Sequence, residues 1–517
     1  MLQLLQTLRY LKPIQIRYQI WYRLKRLFPS KKYSGEYKEI VNLEWSESLK
    51  SYITFSKSTF DFINLSKTFA KEIDWNFSEH GKLWIYNLNY FNYLHQEQID
   101  KSEAVKIMYS FAEYYDFCKD GKEPYPTSLR IMNWVKYLSE KEIDDARLNK
   151  VLRKDLSRLL DNLEYHLLAN HLLENAFALL FGAYYFKNEK IYNRAKSLLS
   201  QQLDEQIMED GAHYERSPMY HQIILYRVLD CLQLAERNDW KSGTLTSLLQ
   251  RTASRMLGWL EQITFSDGSI PLVNDAATGI APSSEQLFEY ARQLKVKHQS
   301  APLRESGYRV FRTEQFEMIA DVGDLSPNYQ PGHAHADSLQ FLLNIGGSPY
   351  IVDSGTATYE ENERRVYERS TEAHNTVTVA SHNSSDVWSS FRVGKRAEVS
   401  LVKDDPQNLE ASHSGYRHLD TTHKRAFQFE GNIIKIKDEL TGTIREGVAH
   451  LHFHPAVKIE QIATDRFSIG KALIDIKGAS ETTLEYYQWA EQFNKTKQAT
   501  VLKISFEEMV ETWIKMI

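Results

Sequence analysis

The sequence predicts a multidomain α+β protein, with helical hairpins over residues 1–300 and an antiparallel β-sandwich over 301–517. Three observations carry this. The chain has 517 residues, more than a single hydrophobic core usually serves. From about residue 100 to residue 262, apolar side chains recur at intervals of three and four, the period of helices with a buried face. Past residue 300 that period gives way to short runs rich in β-branched and aromatic residues, punctuated by Gly, Asn, Asp and Ser.

The helical pattern is clearest over 103–118, 151–168, 171–186 and 219–235, with short polar links such as 187–190 and 237–241. Helices joined so briefly run antiparallel to their neighbours. A series of such hairpins can close into a ring or remain an open bundle, and periodicity alone does not separate the two. Residues 1–60 can form a separate extension. Strands are expected at 308–311, 316–322, 339–345, 350–352, 376–379 and 433–436. No long helical pattern interleaves with them, so the sheets should be antiparallel and stacked. The boundary falls in the charged, Pro-containing stretch 294–306.

Composition excludes several classes. The net charge of −5 argues against a dedicated nucleic-acid binder. Two cysteines, Cys118 and Cys231, exclude a disulfide framework and make a Cys-based metal site improbable. No apolar run is long enough to cross a bilayer. The first residues carry Arg9, Lys12, Pro13 and Arg17 within their apolar pattern, so no secretory signal is read. That predicts a cytoplasmic protein and leaves a periplasmic or exported one open. Residues 17–32 are basic and interleaved with Ile, Trp, Tyr and Leu. They read as a helix with a solvated cationic face, or as an attachment to an anionic membrane or polysaccharide.

Four constellations could carry chemistry. In NHLLEN, Asn170 reads as a helix N-cap, and His171, Glu174 and Asn175 share one face. They form either a helix start or a polar wall that hydrogen-bonds a substrate carboxylate. In DGAHYERSPMYH, Ser217 and Pro218 start a helix and put Tyr220 in its first turn. There the helix dipole and Arg216 should favour a phenolate, and a tyrosine so poised can serve as base and acid. The bland alternative is a buried tyrosine bonding a carbonyl, and Tyr214 and Tyr226 are close enough in sequence to be confused with it. In GHAHAD, strand alternation places His333, His335 and Asp337 on one face. Asp353 should return through a Gly346-Gly347 hairpin, and His374 arrives from a third segment. Two imidazoles and a carboxylate suit zinc or manganese. Lastly, Arg130 and Asn133 lie three apart on a helix, where an arginine can grip a carboxylate or sulfate, or tie two helices together. His450, His452 and His454 alternate on one strand without an evident acidic partner and read as structural.

Taken in order, NHLLEN, DGAHYERSPMYH, GHAHADSLQFLLNIGGSPYIVDSGT and AHNTVTV resemble the heparinase II/III family of polysaccharide lyases over roughly residues 80–390. The resemblance implies an (α/α) toroid joined to the sandwich, with a cleft between them. It implies β-elimination at a uronic acid in an acidic polysaccharide such as a glycosaminoglycan. It casts Tyr220 and His333 as catalytic and Asn170 or Asn175, with His171 and Glu174, as the carboxylate-recognising wall. It makes His335, Asp353 and His374 the ligands of one divalent metal with a structural role. Tyr220 would protonate the leaving oxygen and, for one C5 configuration, also act as base; His333 would be the base for the other. Tyr214 and Arg216 would border the substrate. Two rivals are a glycoside hydrolase on a helical toroid, needing a carboxylate pair such as Glu174 and Asp210, and a non-catalytic polysaccharide-binding or assembly protein.

Overall fold

The computed structural model describes residues 2–25, 27, 42–46, 49–241 and 243–517. The end of the basic stretch, at 28–32, lies outside them. The chain is a helical toroid followed by an antiparallel β-sandwich. Two helices, α1 (Leu2–Leu8) and α2 (Pro13–Lys25), lie first. A small meander follows, of β1 (Phe55–Ser56), β2 (Thr59–Phe62) and β3 (Leu65–Thr68). The helical array then runs α3 (Gly81–Tyr90), α4 (Lys101–Tyr114), α5 (Pro124–Glu140), α6 (Ala146–Asp161), α7 (Ala169–Tyr185), α8 (Glu189–Gln206), α9 (Pro218–Arg237), α10 (Thr244–Ile263) and α11 (Ser284–Gln293).

Sequence explains which helices sit inside. Along α7 every residue but His171 is buried, and a helix apolar nearly all round belongs in the interior. In contrast, α6 buries only one stripe, with Leu148, Val151, Leu152, Leu156 and Leu159. Such amphipathic helices alternate with the interior ones and face water with their charged side.

The sandwich begins with the meander β4 (Tyr308–Arg312), β5 (Phe316–Asp321), β6 (Phe341–Ile345) and β7 (Ser348–Ile351). Gly346 and Gly347, both at positive φ, turn β6 into β7 as the hairpin reading required. After the short helix α12 (Glu363–Glu368) come β8 (Val377–Val379), β9 (Val387–Trp388), β10 (Arg392–Val393), β11 (Val399–Asp405), β12 (Asn408–His413), β13 (Thr421–Glu430), β14 (Ile433–Gly442), β15 (Glu446–His452), β16 (Glu460–Ala463) and β17 (Arg466–Ser468). The chain closes with the long hairpin of β18 (Ala472–Gln492) and β19 (Lys495–Met516). These pair antiparallel in the order β11-β12-β13-β14-β19-β18-β17-β16, with β15 paired to β19 and β8.

Two features bring the halves together. The toroid core continues through Tyr308, Ile319, Tyr329 and Leu342 of the second half. The tip of the β18–β19 hairpin reaches back, so that Asn64 donates to the Phe493 carbonyl at 2.8 Å and Thr278 N to Glu491 O at 2.9 Å. Gly355, at φ +79°, lies against that hairpin; a Cβ there would meet Ala490 O at 1.8 Å, so only glycine fits.

Candidate active site

A cleft of about 1680 Å³ lies at the junction of the halves. Tyr220 enters it from the first turn of α9. Ser217 caps that helix, accepting from Tyr220 N at 3.3 Å, and its hydroxyl donates to Asp275 O at 2.7 Å. The start of the helix is therefore tied to the loop carrying Asp275. His333 comes from the opposite side, and its ring meets that of Tyr220 at a 34° tilt with centroids 4.0 Å apart. Both residues line the cleft, as do Asn170, His171 and Asn133.

Asp275 organises the His333 side. Its carboxylate accepts from His333 Nδ1 at 2.9 Å, from His335 Nε2 at 2.9 Å and from Arg365 Nη2 at 2.7 Å. Its amide donates to His333 O at 3.0 Å. Burial alone would push this acid up, but the Arg365 guanidinium and the two imidazole bonds hold it well below the usual carboxylate range. With Nδ1–H donated to Asp275, His333 presents its Nε2 lone pair to the cleft, 3.8 Å from Glu215 Oε2. Neighbouring Asn274 accepts from His335 N at 3.1 Å and pins the loop.

The phenolate expectation for Tyr220 is overturned. Burial, then Tyr359 and the nearby carboxylates of Asp275 and Glu215, raise its pKa well above the ordinary phenol value. Arg216 does not offset this, because its backbone sits at φ +54° and its guanidinium donates to the carbonyls of Asp324 and Glu305. Tyr220 is a held phenol, with its hydroxyl 3.3 Å from that of Tyr359. Tyr214 is no rival to it, being buried off the cleft with its hydroxyl 2.7 Å from that of Tyr329. Tyr226 reaches the cleft but accepts from Lys136 Nζ at 3.2 Å.

The recognition wall is also rearranged. The α7 helix starts one residue before Asn170, so Leu168 occupies the cap position expected for the asparagine. Asn170 Nδ2 is occupied by both oxygens of Glu215, at 2.9 and 3.1 Å. Glu174 and Asn175 do not line the cleft. Glu174 accepts from Arg227 at 3.3 Å beneath the surface, and its carboxyl pKa is raised by burial despite that arginine. Asn175 donates to Glu164 Oε2 at 2.9 Å. Glu164 in turn bonds His171 Nδ1 at 3.0 Å. Burial opposes charge on His171, yet Glu164 leaves its pKa raised. Of the wall, Asn170 and His171 face the cleft.

Arg130 is corrected as well. It is fully buried, with Nε and Nη2 on the two oxygens of Asp155 at 2.8 and 2.9 Å. It ties α5 to α6 and touches no cleft. Asn133 lines the cleft while donating to Tyr90 O at 2.8 Å.

GHAHAD is not a strand start. Residues 331–340 form turns, and β6 begins only at Phe341. His335 and His374 are buried with rings 5.2 Å apart, and Asp353 bonds His374 Nδ1 at 2.7 Å. His335 Nδ1 and His374 Nε2 have no hydrogen-bond partner among the described residues. Two orphaned imidazole nitrogens and a carboxylate are the right chemistry for zinc. With Asp353 turned onto His374, no group of three such donors with ligand geometry stands among the described residues. His450 and His452 are buried structural side chains, bonded to Thr378 Oγ1 at 3.0 Å and Asn375 Oδ1 at 3.3 Å.

Comparison with known proteins gives this arrangement its family. A model described as "Heparinase II/III N-terminus" matches residues 127–299, and one described as "Heparinase II/III-like, C-terminal" matches 295–511. The chain belongs to the heparinase II/III family. It is 24% identical over 322 residues to a heparin-sulfate lyase of Bacteroides stercoris, a match covering 56% of this chain and 46% of that protein. It is 25% identical over 269 residues to the FtsZ-localized protein C of Caulobacter vibrioides, covering 49% and 44%. The chain thus spans about half the length of these relatives. A crystal structure of heparinase III superposes with a TM-score of 0.70 at 18% identity, covering 87% of this chain and 80% of that one.

Sequence reasoning missed Asp275, Arg365, Tyr359 and Glu215. Asp275 and Tyr359 stand in loops and Arg365 in a six-residue helix, and none carries a local pattern. Glu215 stood inside a noticed motif without being assigned a role.

Proposed function

We propose that this heparinase II/III family member is a polysaccharide lyase that cleaves uronic-acid-containing polymers, with glycosaminoglycans such as heparan sulfate, chondroitin or hyaluronan as the substrate class. One observation carries the reading: a tyrosine from the toroid and a histidine whose Nδ1 is held by Asp275 meet inside one cleft, with ring centroids 4.0 Å apart.

In β-elimination the C5 proton leaves, the C4–O4 bond breaks, a C4=C5 double bond forms and O4 takes a proton. His333 Nε2 is the base, its tautomer set by Asp275. The imidazolium that forms is stabilised by Asp275 and Glu215. Tyr220, held as the phenol, donates to O4. The sugar carboxylate, where charge accumulates, is met by His171 in its charged form. An anionic polymer also suits the rim, where α6 turns Lys150, Arg153, Lys154 and Arg158 toward the cleft. His335, Asp353 and His374 would hold a divalent ion, zinc or manganese. When bound it would brace the segment beneath His333, outside the proton transfers.

The hydrolase alternative loses its carboxylates. Glu174 is paired with Arg227, and Asp210 accepts from Ser306 N and Oγ at 2.9 and 2.7 Å. A second reading, a non-catalytic binding protein, is kept beside it because one relative is named for where it localises and not for an activity.

The test is incubation with a panel of uronate polysaccharides, followed by ultraviolet absorbance and product mass. A lyase yields chain ends with the unsaturated chromophore. Saturated ends would make it a hydrolase, and binding without turnover across the panel would make it a binding protein.

A further inference from the structure

We infer that α1 and α2 form a docking surface for an anionic lipid membrane. The observation is an inverted helix. A surface helix normally buries its aliphatic stripe and shows its polar one. Here α2 faces the body with Gln15, Tyr18, Tyr22 and Lys25. Gln15 donates to Leu167 O at 3.3 Å and Tyr18 stacks on Tyr165 at 4.6 Å. Tyr22 bonds the Leu163 carbonyl, and Lys25 the Asp161 carbonyl. The opposite face, at a spacing of four, is Ile16, Ile20 and Leu24, which are 43, 52 and 48% exposed. Trp21, 50% exposed, stands at its edge. The preceding α1 repeats the arrangement: Thr7 donates inward to Val393 O at 3.0 Å, and Leu4, Leu5 and Leu8 point outward.

Charge selects the occupant. Arg17 and Arg23 flank the aliphatic stripe, one on each side, and neither makes an ion pair with any described residue. The first acidic residue of the chain is Glu36, although the protein as a whole has a net charge of −5. A cationic, acid-free segment with an aliphatic ridge and a tryptophan at its edge matches the boundary between anionic headgroups and acyl chains. A second copy fits poorly, because a two-fold contact across this ridge would set arginines against arginines. A polysaccharide would satisfy the arginines but leave the ridge in water. No helix among the described residues is long and apolar enough to span a bilayer, so the attachment lies on the surface. Tyr22 and Lys25, on the inner side of the same helix, line the cleft. Docking would hold the cleft beside the lipid.

The inference is independent of the lyase reading, and vesicle flotation of the full chain tests it. Vesicles of phosphatidylcholine mixed with phosphatidylglycerol should carry the protein, and phosphatidylcholine alone should carry much less. Removing two cations in R17Q/R23Q should weaken binding about thirtyfold, since each is worth about 1 kcal/mol at an anionic surface. I20S/L24S should abolish flotation with the circular dichroism unchanged. Absence of flotation on the anionic vesicles would overturn the inference, as would R17Q/R23Q floating like the parent. A dimer that I20S/L24S converts to monomer would assign the face to a second copy instead. Retention on an immobilised uronate polymer, lost in I20S/L24S without vesicle binding, would assign it to polysaccharide.

Discussion

The protein buries two arginine–aspartate forks of nearly the same build. Arg130 grips Asp155 between α5 and α6, and Arg365 grips Asp275 at the junction of toroid and sandwich. All four side chains are fully buried. What differs is the third partner. Asp155 accepts also from Tyr115 at 2.8 Å, inside the helical core. Asp275 accepts also from two histidines, and His333 opens onto the cleft. A buried ion pair contributes little net stability, because desolvation offsets most of the attraction. It becomes an instrument when one of its ligands reaches substrate, since the fork then sets the direction and tautomer of that ligand.

Breaking each fork should separate the two roles. The largest effect is expected from Asp275→Asn, which turns one of the two oxygens shared by His333, His335 and Arg365 into an N–H donor, so that both imidazole bonds can no longer be accepted, and leaves Arg365 uncompensated. The kcat for unsaturated product should fall about 10²–10⁴-fold, the usual worth of a positioned general base. A carboxamide has the shape of the carboxylate it replaces, so folded protein is expected, at a stability lowered by the loss of the Arg365 counter-charge. A variant within a few-fold of the parent would remove Asp275 from the positioning of His333. Next in size, Arg130→Ala should cost about 3–5 kcal/mol of unfolding free energy, by stranding Asp155. Denaturant melts report that loss, and kcat per folded molecule should not change. Reduced turnover in folded R130A would erase the distinction between the forks.

Smaller effects sharpen it. Glu164 raises the His171 pKa against burial. A group raised in this way is fully charged below its ordinary value of 6.5 and loses its charge as pH climbs through the raised one. KM for a uronate polymer should therefore rise with pH above that point, by roughly tenfold for loss of one charged hydrogen bond. In Glu164→Gln the rise should begin at lower pH. A KM with the same pH profile in both proteins would take His171 out of carboxylate binding. Prolonged chelation, last, should lower Tm by a few degrees and release zinc or manganese measurable by mass spectrometry. Purified protein free of both, with Tm unmoved on adding either, would count against the metal at His335, Asp353 and His374.

Much of this was legible in the sequence, for physical reasons that also mark the limits. The 3.6-residue period that builds α7 and α9 is local, so it can be read from one segment. So can Ser217-Pro218, which fixes the start of α9 and puts Tyr220 in its first turn. Arg130 shows where such reading stops. Its spacing from Asn133 tells that both share a helix face, but not that Asp155, 25 residues on, stands opposite. Asp275 and Arg365 lie 90 residues apart, and their pairing is decided by the docking of toroid on sandwich. Glu174 was misread because its helix face pointed toward Arg227, not toward solvent.

The most direct measurement is a crystal structure of His333→Ala with a bound uronate oligosaccharide. Here the Tyr220 hydroxyl should lie within about 3 Å of a bridging O4. The C5 hydrogen of the same uronate should face the space vacated by the imidazole. An oligosaccharide whose bridging oxygens all lie beyond reach of Tyr220 would contradict the account.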